Sequence, residues 1–153
     1  MFKRIFGLSV MAALFLGSCN SKGCYETTEV KVYCSFYSLD SLRDVEIDSV
    51  TVWGVGSDSI ICNNETVGEL ALELNPSAQE TQYVVQAKAG GYTFTDTISL
   101  RHTNQPWFQN VECGCMVFSK LDTCLTTGSI FQSATILNPE IINKKTKHVV
   151  LNL

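Results

Sequence analysis

The sequence predicts an all-β fold, an antiparallel two-sheet β-sandwich (Ig-like) of seven to eight strands, disulfide-stapled. Three observations carry that prediction. After residue 25, apolar and polar residues alternate with period two, and no 3.6-residue apolar stripe is sustained. The alternating runs are short and are punctuated by turn signals such as Asn75-Pro76-Ser77 and Gly90-Gly91. Beyond residue 20 there are six cysteines, an even set of the kind that cross-links small exported domains. A closed barrel is the alternative architecture for the same pattern.

The elements follow in order. Val30, Val32, Cys34 and Phe36 alternate with Glu29, Lys31, Tyr33 and Ser35, which makes a first strand. Residues 39–48 are the one stretch suited to a short helix. Residues 47–55 are valine-rich and end at Gly54 and Gly56. Trp53 lies in this alternating run and is expected in the core. Leu70, Leu72 and Leu74 face one way and Glu69, Ala71 and Glu73 the other, until Asn75-Pro76-Ser77 stops the run. Residues 83–88 form the next strand. Gly90-Gly91 closes it, because glycine tolerates the positive φ of a tight hairpin. Tyr92, Phe94, Ile98 and Leu100 then share a face, interrupted by Asp96, which is expected near the edge of that face. Val111, Cys113, Cys115 and Val117 continue the alternation, followed by residues 130–137 and by Val149, Leu151 and Leu153. Loss of residues 149–153 should leave an unpaired sheet edge.

Composition bounds the function. The chain has 153 residues, 45% of them apolar and 17% charged, which excludes disorder and low-complexity tails. A net charge of −4 provides no basic stripe for phosphates, so no nucleic-acid partner is expected. One core of this size leaves no room for a second catalytic domain, and any site must sit on a loop end or a sheet face.

The first twenty residues read as an address. Lys3 and Arg4 precede the apolar run at 5–16, which is too short to span a bilayer stably. Leu16-Gly17-Ser18-Cys19 resembles the bacterial lipobox. The competing reading is a short N-terminal core helix with a chance cysteine. The lipobox divides the chain into a signal peptide at 1–18, a lipidated N-terminus and short tether at 19–27, and a β-sandwich domain at 28–153. Acylation of Cys19 would anchor the protein, each buried lipid methylene contributing about 0.8 kcal/mol. Removal of Lys3 and Arg4 with the leader takes the net charge from −4 to −6. No other segment reaches the ~18 apolar residues of a transmembrane helix.

The other cysteines are Cys24, Cys34, Cys62, Cys113, Cys115 and Cys124, all disulfide candidates. Six allow fifteen pairings, and sequence cannot choose among them. In a strand, the sulfurs of Cys113 and Cys115 would point the same way about 6.8 Å apart, poorly placed to join each other. The pairing favoured is Cys24 and Cys34 with the 113/115 pair, and Cys62 with Cys124. Two sharper readings compete. Cys113-Gly114-Cys115 has the spacing of some thiol–disulfide redox sites, although Glu112 and Met116 offer no cation to lower a thiol pKa. Zinc on Cys113, Cys115, Cys124 and His102 or His148 lacks a C-x2-C knuckle, so no metal and no cofactor is expected.

No G-x-S-x-G elbow, H-E-x-x-H or P-loop is present, and no catalytic residue stands out. Phe36-Tyr37, residues 48–59 (DSVTVWGVGSDS), residues 70–75, Glu112-Cys113-Gly114, Phe118, Ile141-Ile142-Asn143 and residues 148–151 together form a pattern. It resembles an uncharacterised family of small Bacteroidota lipoproteins, a domain of unknown function without assigned activity. The resemblance covers most of the chain after the leader, and it implies an envelope location and a β-rich fold. Cys62, Cys115 and Cys124 depart from it. Asp followed by Ser or Thr and an aliphatic residue recurs at Ser41, Ser49, Ser59 and Thr97. This is similar to the O-glycosylation sequon of exported Bacteroidota proteins, although Asp-Ser pairs are also ordinary turn residues.

The resulting expectation is a non-enzymatic, membrane-anchored envelope lipoprotein that binds a protein or glycan partner. Trp107, which follows Pro106 in what reads as a loop, and Phe108 are the surface aromatics expected to make that contact. The alternative is a periplasmic thiol–disulfide redox protein. Asn20-Ser21-Lys22-Gly23 lacks an acidic surface-export run, which favours an outer-membrane lipoprotein facing the periplasm.

Overall fold

The computed structural model describes residues 29–110 and 114–153. Eleven strands and no helix form among them: β1 (Lys31–Ser38), β2 (Arg43–Asp44), β3 (Ile47–Gly54), β4 (Ile60–Val67), β5 (Glu69–Glu73), β6 (Glu80–Ala89), β7 (Tyr92–Asn110), β8 (Gly114–Thr126), β9 (Ser133–Ile136), β10 (Glu140–Ile141) and β11 (Val149–Asn152). They make two sheets. In the first, β1 has β11 on one side and both β5 and β2 on the other, and β9 closes the far edge. The second runs β10-β8-β7-β6-β3-β4.

Period-two alternation decides which side chains go inside. Val32, Cys34 and Phe36 of β1, Leu70 and Leu72 of β5, and Val149 and Leu151 of β11 are buried from the first sheet. Val50, Val52, Val85, Ile98, Leu100 and Leu121 meet them from the second. Phe36 stacks on Phe131 with ring centroids 5.7 Å apart, so the loop before β9 also caps the core. Each such side chain contributes about 1.5–3 kcal/mol by leaving water.

Several expectations are corrected here. The sheets are not wholly antiparallel, because β1 and β11 pair in parallel with Cys34 opposite Val149. Strand β11 lies between β1 and β9, so losing residues 149–153 would leave an unpaired edge as expected, and on both of those strands. The segment at 39–48 is a reversal and not a helix. Leu42 takes φ 52°, and Arg43 and Asp44 pair straight back onto Ser38 and Tyr37. Strand β4 has no counterpart in the sequence reading, because at the sheet edge only Cys62 of its eight residues is buried. Trp53 is half-buried on the outer face of β3, where its neighbours Val50 and Val52 take the core positions.

The hairpin at Gly90 and Gly91 forms as expected, with φ of 58° and 82°. Strand β7 is 19 residues long, yet β6 accompanies it only from Tyr92 to Arg101. Beyond that point β7 continues with β8 alone, apart from a two-residue brace by β10 at Ser119 and Lys120. The two strands therefore leave the sheet as a ribbon. Thr81, opposite Leu100, and Glu80, opposite Arg101, mark the end of the sheet from which this arm departs.

Candidate functional site

The base of the arm is held by a polar network. Beyond Leu100, His102 and Asn104 occupy the inward positions of β7. His102 is 1% exposed. Asn104 Nδ2 donates to the carbonyl oxygens of Asn75 (3.0 Å) and Ala78 (2.8 Å), which leaves its Oδ1 as an acceptor. That oxygen receives Ser119 Oγ (2.8 Å) and His102 Nδ1 (2.8 Å). Nδ1 therefore carries the imidazole proton, and Nε2 accepts from Thr81 Oγ1 at 2.9 Å. The His102 amide donates to Gln79 O, which ties the strand to the same 74–79 loop. Satisfied on every side, His102 positions the arm and is not offered to a substrate.

Past this base the arm turns apolar. Trp107 and Phe108 are 54% and 60% exposed. As consecutive strand residues they point to opposite faces of the ribbon. Trp107 stacks on Phe118 across the ribbon, with centroids 5.8 Å apart. Phe108 sits opposite Cys115, and Pro106 opposite Val117. The stretch at 103–119 contains a single charged residue, Glu112. Glu29 and Val30, where the described chain begins, line one shallow cleft with Cys115, Met116 and Val117. The chain entry and the aromatic arm thus share one end of the molecule.

A second, open cleft of about 670 Å³ lies at the same end, between the loop after β3, the start of β4 and the start of β6. Val55, Ile60, Ile61 and Tyr83 give it an apolar wall, and Lys31 and Glu80 lie at its polar side. Tyr83 donates its hydroxyl to Glu73 O, and burial pushes its pKa up. A phenol so engaged is a strut and not a base. Among the described residues no group of three or more His, Cys, Asp or Glu converges in a metal-binding arrangement.

Two other buried polar groups are structural. Asp96 does not lie near an edge but is 1% exposed. Its Oδ1 accepts Thr97 N (2.8 Å), Thr127 N (2.7 Å) and the Thr127 hydroxyl, and its Oδ2 accepts Ile130 N and Phe131 N (3.0 Å each). Burial raises the pKa of such a group, but these donors outweigh it and the net shift is downward. Asp96 thus organises the loop that delivers Phe131 to the core. His148, wholly buried, accepts Tyr33 N at Nδ1 (3.0 Å) and meets Thr146 Oγ1 through Nε2 (3.0 Å). Its ring stacks on Tyr33, and burial lowers its pKa. It locks β11 onto β1.

The remaining sequence candidates fall as follows. Cys19, Cys24 and Cys113 lie outside the described residues, as does the leader. Cys34, Cys62 and Cys124 are buried free thiols, and Cys115 is an exposed one. The favoured Cys62–Cys124 bridge is therefore not formed. Strands β3, β6 and β7 separate β4 from β8, which spaces the two residues roughly 19 Å apart along the sheet. Cys34 does not reach Cys115 either. It is wholly buried in the core, where burial drives its thiol pKa well up, and Cys124 is pushed up to about 12 for the same reason. Gly114 takes φ 73° at the start of β8 and Cys115 follows it in that strand, whereas the expected strand at Cys113 lies outside the described residues. Ser41 and Ser59 are exposed in turns and loops, and Ser49 is half-buried in β3. Thr97 is half-buried between β6 and β8, beside an aspartate whose oxygens are already taken.

These features define a two-sheet all-β domain with a braced aromatic arm. The chain belongs to a family of unknown function, DUF6452, whose model matches residues 49–153, a span that includes the arm, Asp96 and His148. No curated protein and no solved structure matches it.

Proposed function

We propose that the protein is a lipid-anchored envelope protein, attached through Cys19 to the outer membrane, facing the periplasm and serving as a non-catalytic binding module. The charged head, short apolar run and Leu16-Gly17-Ser18-Cys19 support the anchor. One observation carries the binding role. Trp107 and Phe108 are exposed on an arm whose base is fixed by Asn104 and His102, so rings are presented to a partner with little ordering left to pay. The partner is an envelope protein or glycan and not a nucleic acid.

In this reading the fold is an Ig-like sandwich, and oxidation concerns the cysteines at the arm. Cys24 stands five residues before Glu29, which lines one cleft with Cys115. Cys24 is therefore the residue to cross-link to Cys113 or Cys115. Exposure of Cys115 is also the one observation favouring the redox alternative. Ser41 and Ser59, exposed as they are, are the O-glycosylation sites of choice.

Labelling with radioactive palmitate tests the anchor: label should enter the wild-type chain and not the Cys19→Ser variant, and an unlabelled wild type overturns the reading. Crosslinking in native membranes followed by pull-down should then recover one predominant partner that the Trp107→Ala variant loses. Two reactive thiols at neutral pH in the unreduced protein, lost on replacing Cys113 and Cys115, would turn the assignment to redox chemistry.

A further inference from the structure

The arm and the start of the described chain sit together, and this has a consequence for what the aromatic tip touches. Nine residues lie between Cys19 and Glu29, and the ten residue steps reach at most about 35 Å. The arm extends nine residues beyond the last β6 pair at Arg101, roughly 30 Å of strand. Glu29 already lies alongside Cys115 to Val117, at the level of Pro106 to Phe108. An anchor at Cys19 therefore keeps Glu29, and the arm beside it, within about 35 Å of the bilayer, close enough for Trp107 to reach the surface.

We propose that the β7–β8 arm rests in the headgroup region of the anchoring bilayer, with Trp107 and Phe108 as its interfacial contacts. The inference rests on the lipid anchor at Cys19, puts the bilayer surface in place of a protein or glycan as what the arm's rings touch, and so adds a second, reversible point of attachment that orients the domain. Three features favour a lipid surface over a protein. Exposed rings occupy both faces of the ribbon, whereas a flat partner can meet only one face. Trp and Phe carry large apolar surface, and the indole N–H suits a layer that is apolar on one side and wet on the other. The stretch at 103–119 carries one charge, so little desolvation opposes insertion. Attachment through the tether supplies the arm at about millimolar effective concentration, so a weak contact suffices.

The test uses the full chain, acylated in cells and reconstituted into phosphatidylethanolamine–phosphatidylglycerol vesicles with or without brominated acyl chains. Tryptophan emission is compared between wild type and Trp107→Phe. The chain has two tryptophans, so the difference isolates Trp107 while leaving Trp53 and the fold untouched. The Trp107 component is expected to shift to the blue on reconstitution and to be quenched at least twofold by bromolipid, with the Trp53 component unquenched. Protein that floats with the vesicles but shows unquenched Trp107 overturns the arm's placement and leaves the anchor standing, and the arm then serves a protein or glycan partner. Protein that does not float overturns the anchor itself, and the placement falls with it. Vesicle binding by the unacylated Cys19→Ser chain should be at least tenfold weaker, yet should drop further in Trp107→Ala/Phe108→Ala. Equal binding by the two unacylated forms would also overturn the proposal.

Discussion

The two ends of strand β7 obey the same alternation and meet opposite fates. Near its start, Asp96 is a charged residue on the inward face, surrounded by backbone N–H groups and sealed from water. Near its end, Phe108 occupies an inward position of the same periodicity and is 60% exposed. Residue type alone would exchange them. The difference is what lies opposite. At Asp96 the loop at 127–131 folds over the strand and supplies donors, whereas beyond Arg101 no β6 residue accompanies β7 and the ribbon leaves the layered core. A strand position is buried by the sheet facing it and not by its own side chain.

The largest effect should come from breaking the organised end. Asp96→Ala strands several buried N–H groups and should cost about 3 kcal/mol or more in urea unfolding. Asp96→Asn should recover part of that. A loss below about 1 kcal/mol for Asp96→Ala would mean that packing of Phe131, and not the carboxylate, holds the loop. Next comes the lock between the first and last strands. His148→Ala removes a fully buried ring and leaves the Tyr33 N–H unpaired, for an expected loss of about 2 kcal/mol.

The same two residues set a pH dependence whose sign can be worked out. His148 has a lowered folded pKa, so the unfolded chain takes up a proton first as acid is added. Its contribution is complete above the ordinary histidine value near 6.5 and declines as the pH falls below it. Asp96, also lowered, contributes in full above about 3.8, and that contribution is lost as the pH falls through its folded value. Thermal midpoints should therefore be level at about pH 7 and, on acidification, fall in two stages, the first missing in a His148→Phe variant. Above the ordinary thiol value of about 8.5 they should fall as well, because the buried Cys34 and Cys124 thiols resist ionisation. A wild-type midpoint that rises between pH 6.5 and 5 would contradict the assignment.

The smallest effect belongs to the arm. Trp107→Ala and Phe108→Ala should each change stability by less than about 0.5 kcal/mol, because neither ring supports the core. A loss above 1 kcal/mol in either would show that the ribbon is structural, and the contrast between the two ends of β7 would dissolve.

Legibility followed the same division. The inward sets Val32, Cys34, Phe36 and Leu70, Leu72 could be read from alternation, and so could the Gly90-Gly91 turn, since both depend on neighbours along the chain. Trp107 and Phe108 are exposed as expected, but the loop expected around Pro106 is instead the distal part of β7, since a ribbon leaving the sheet tolerates a proline that a central strand would not. Strand β4 was hidden because an edge strand with one buried residue has no pattern to show. The network of Thr81, Asn104 and Ser119 gave only a faint signal, two polar residues continuing an apolar face after Leu100. Its partners come from three separate strands and a loop.

What the amino-acid order determines by itself is local: which residues extend, which face each one takes, and where turns interrupt. Pairing β1 with β11 in parallel, setting β4 too far from β8 for a Cys62–Cys124 bond, burying Asp96 and leaving Trp107 and Phe108 exposed were decided only by tertiary structure. The physical reason is that alternation specifies a face but not a neighbour. Which edges pair, and where the opposing sheet stops, depend on contacts between segments far apart in the chain.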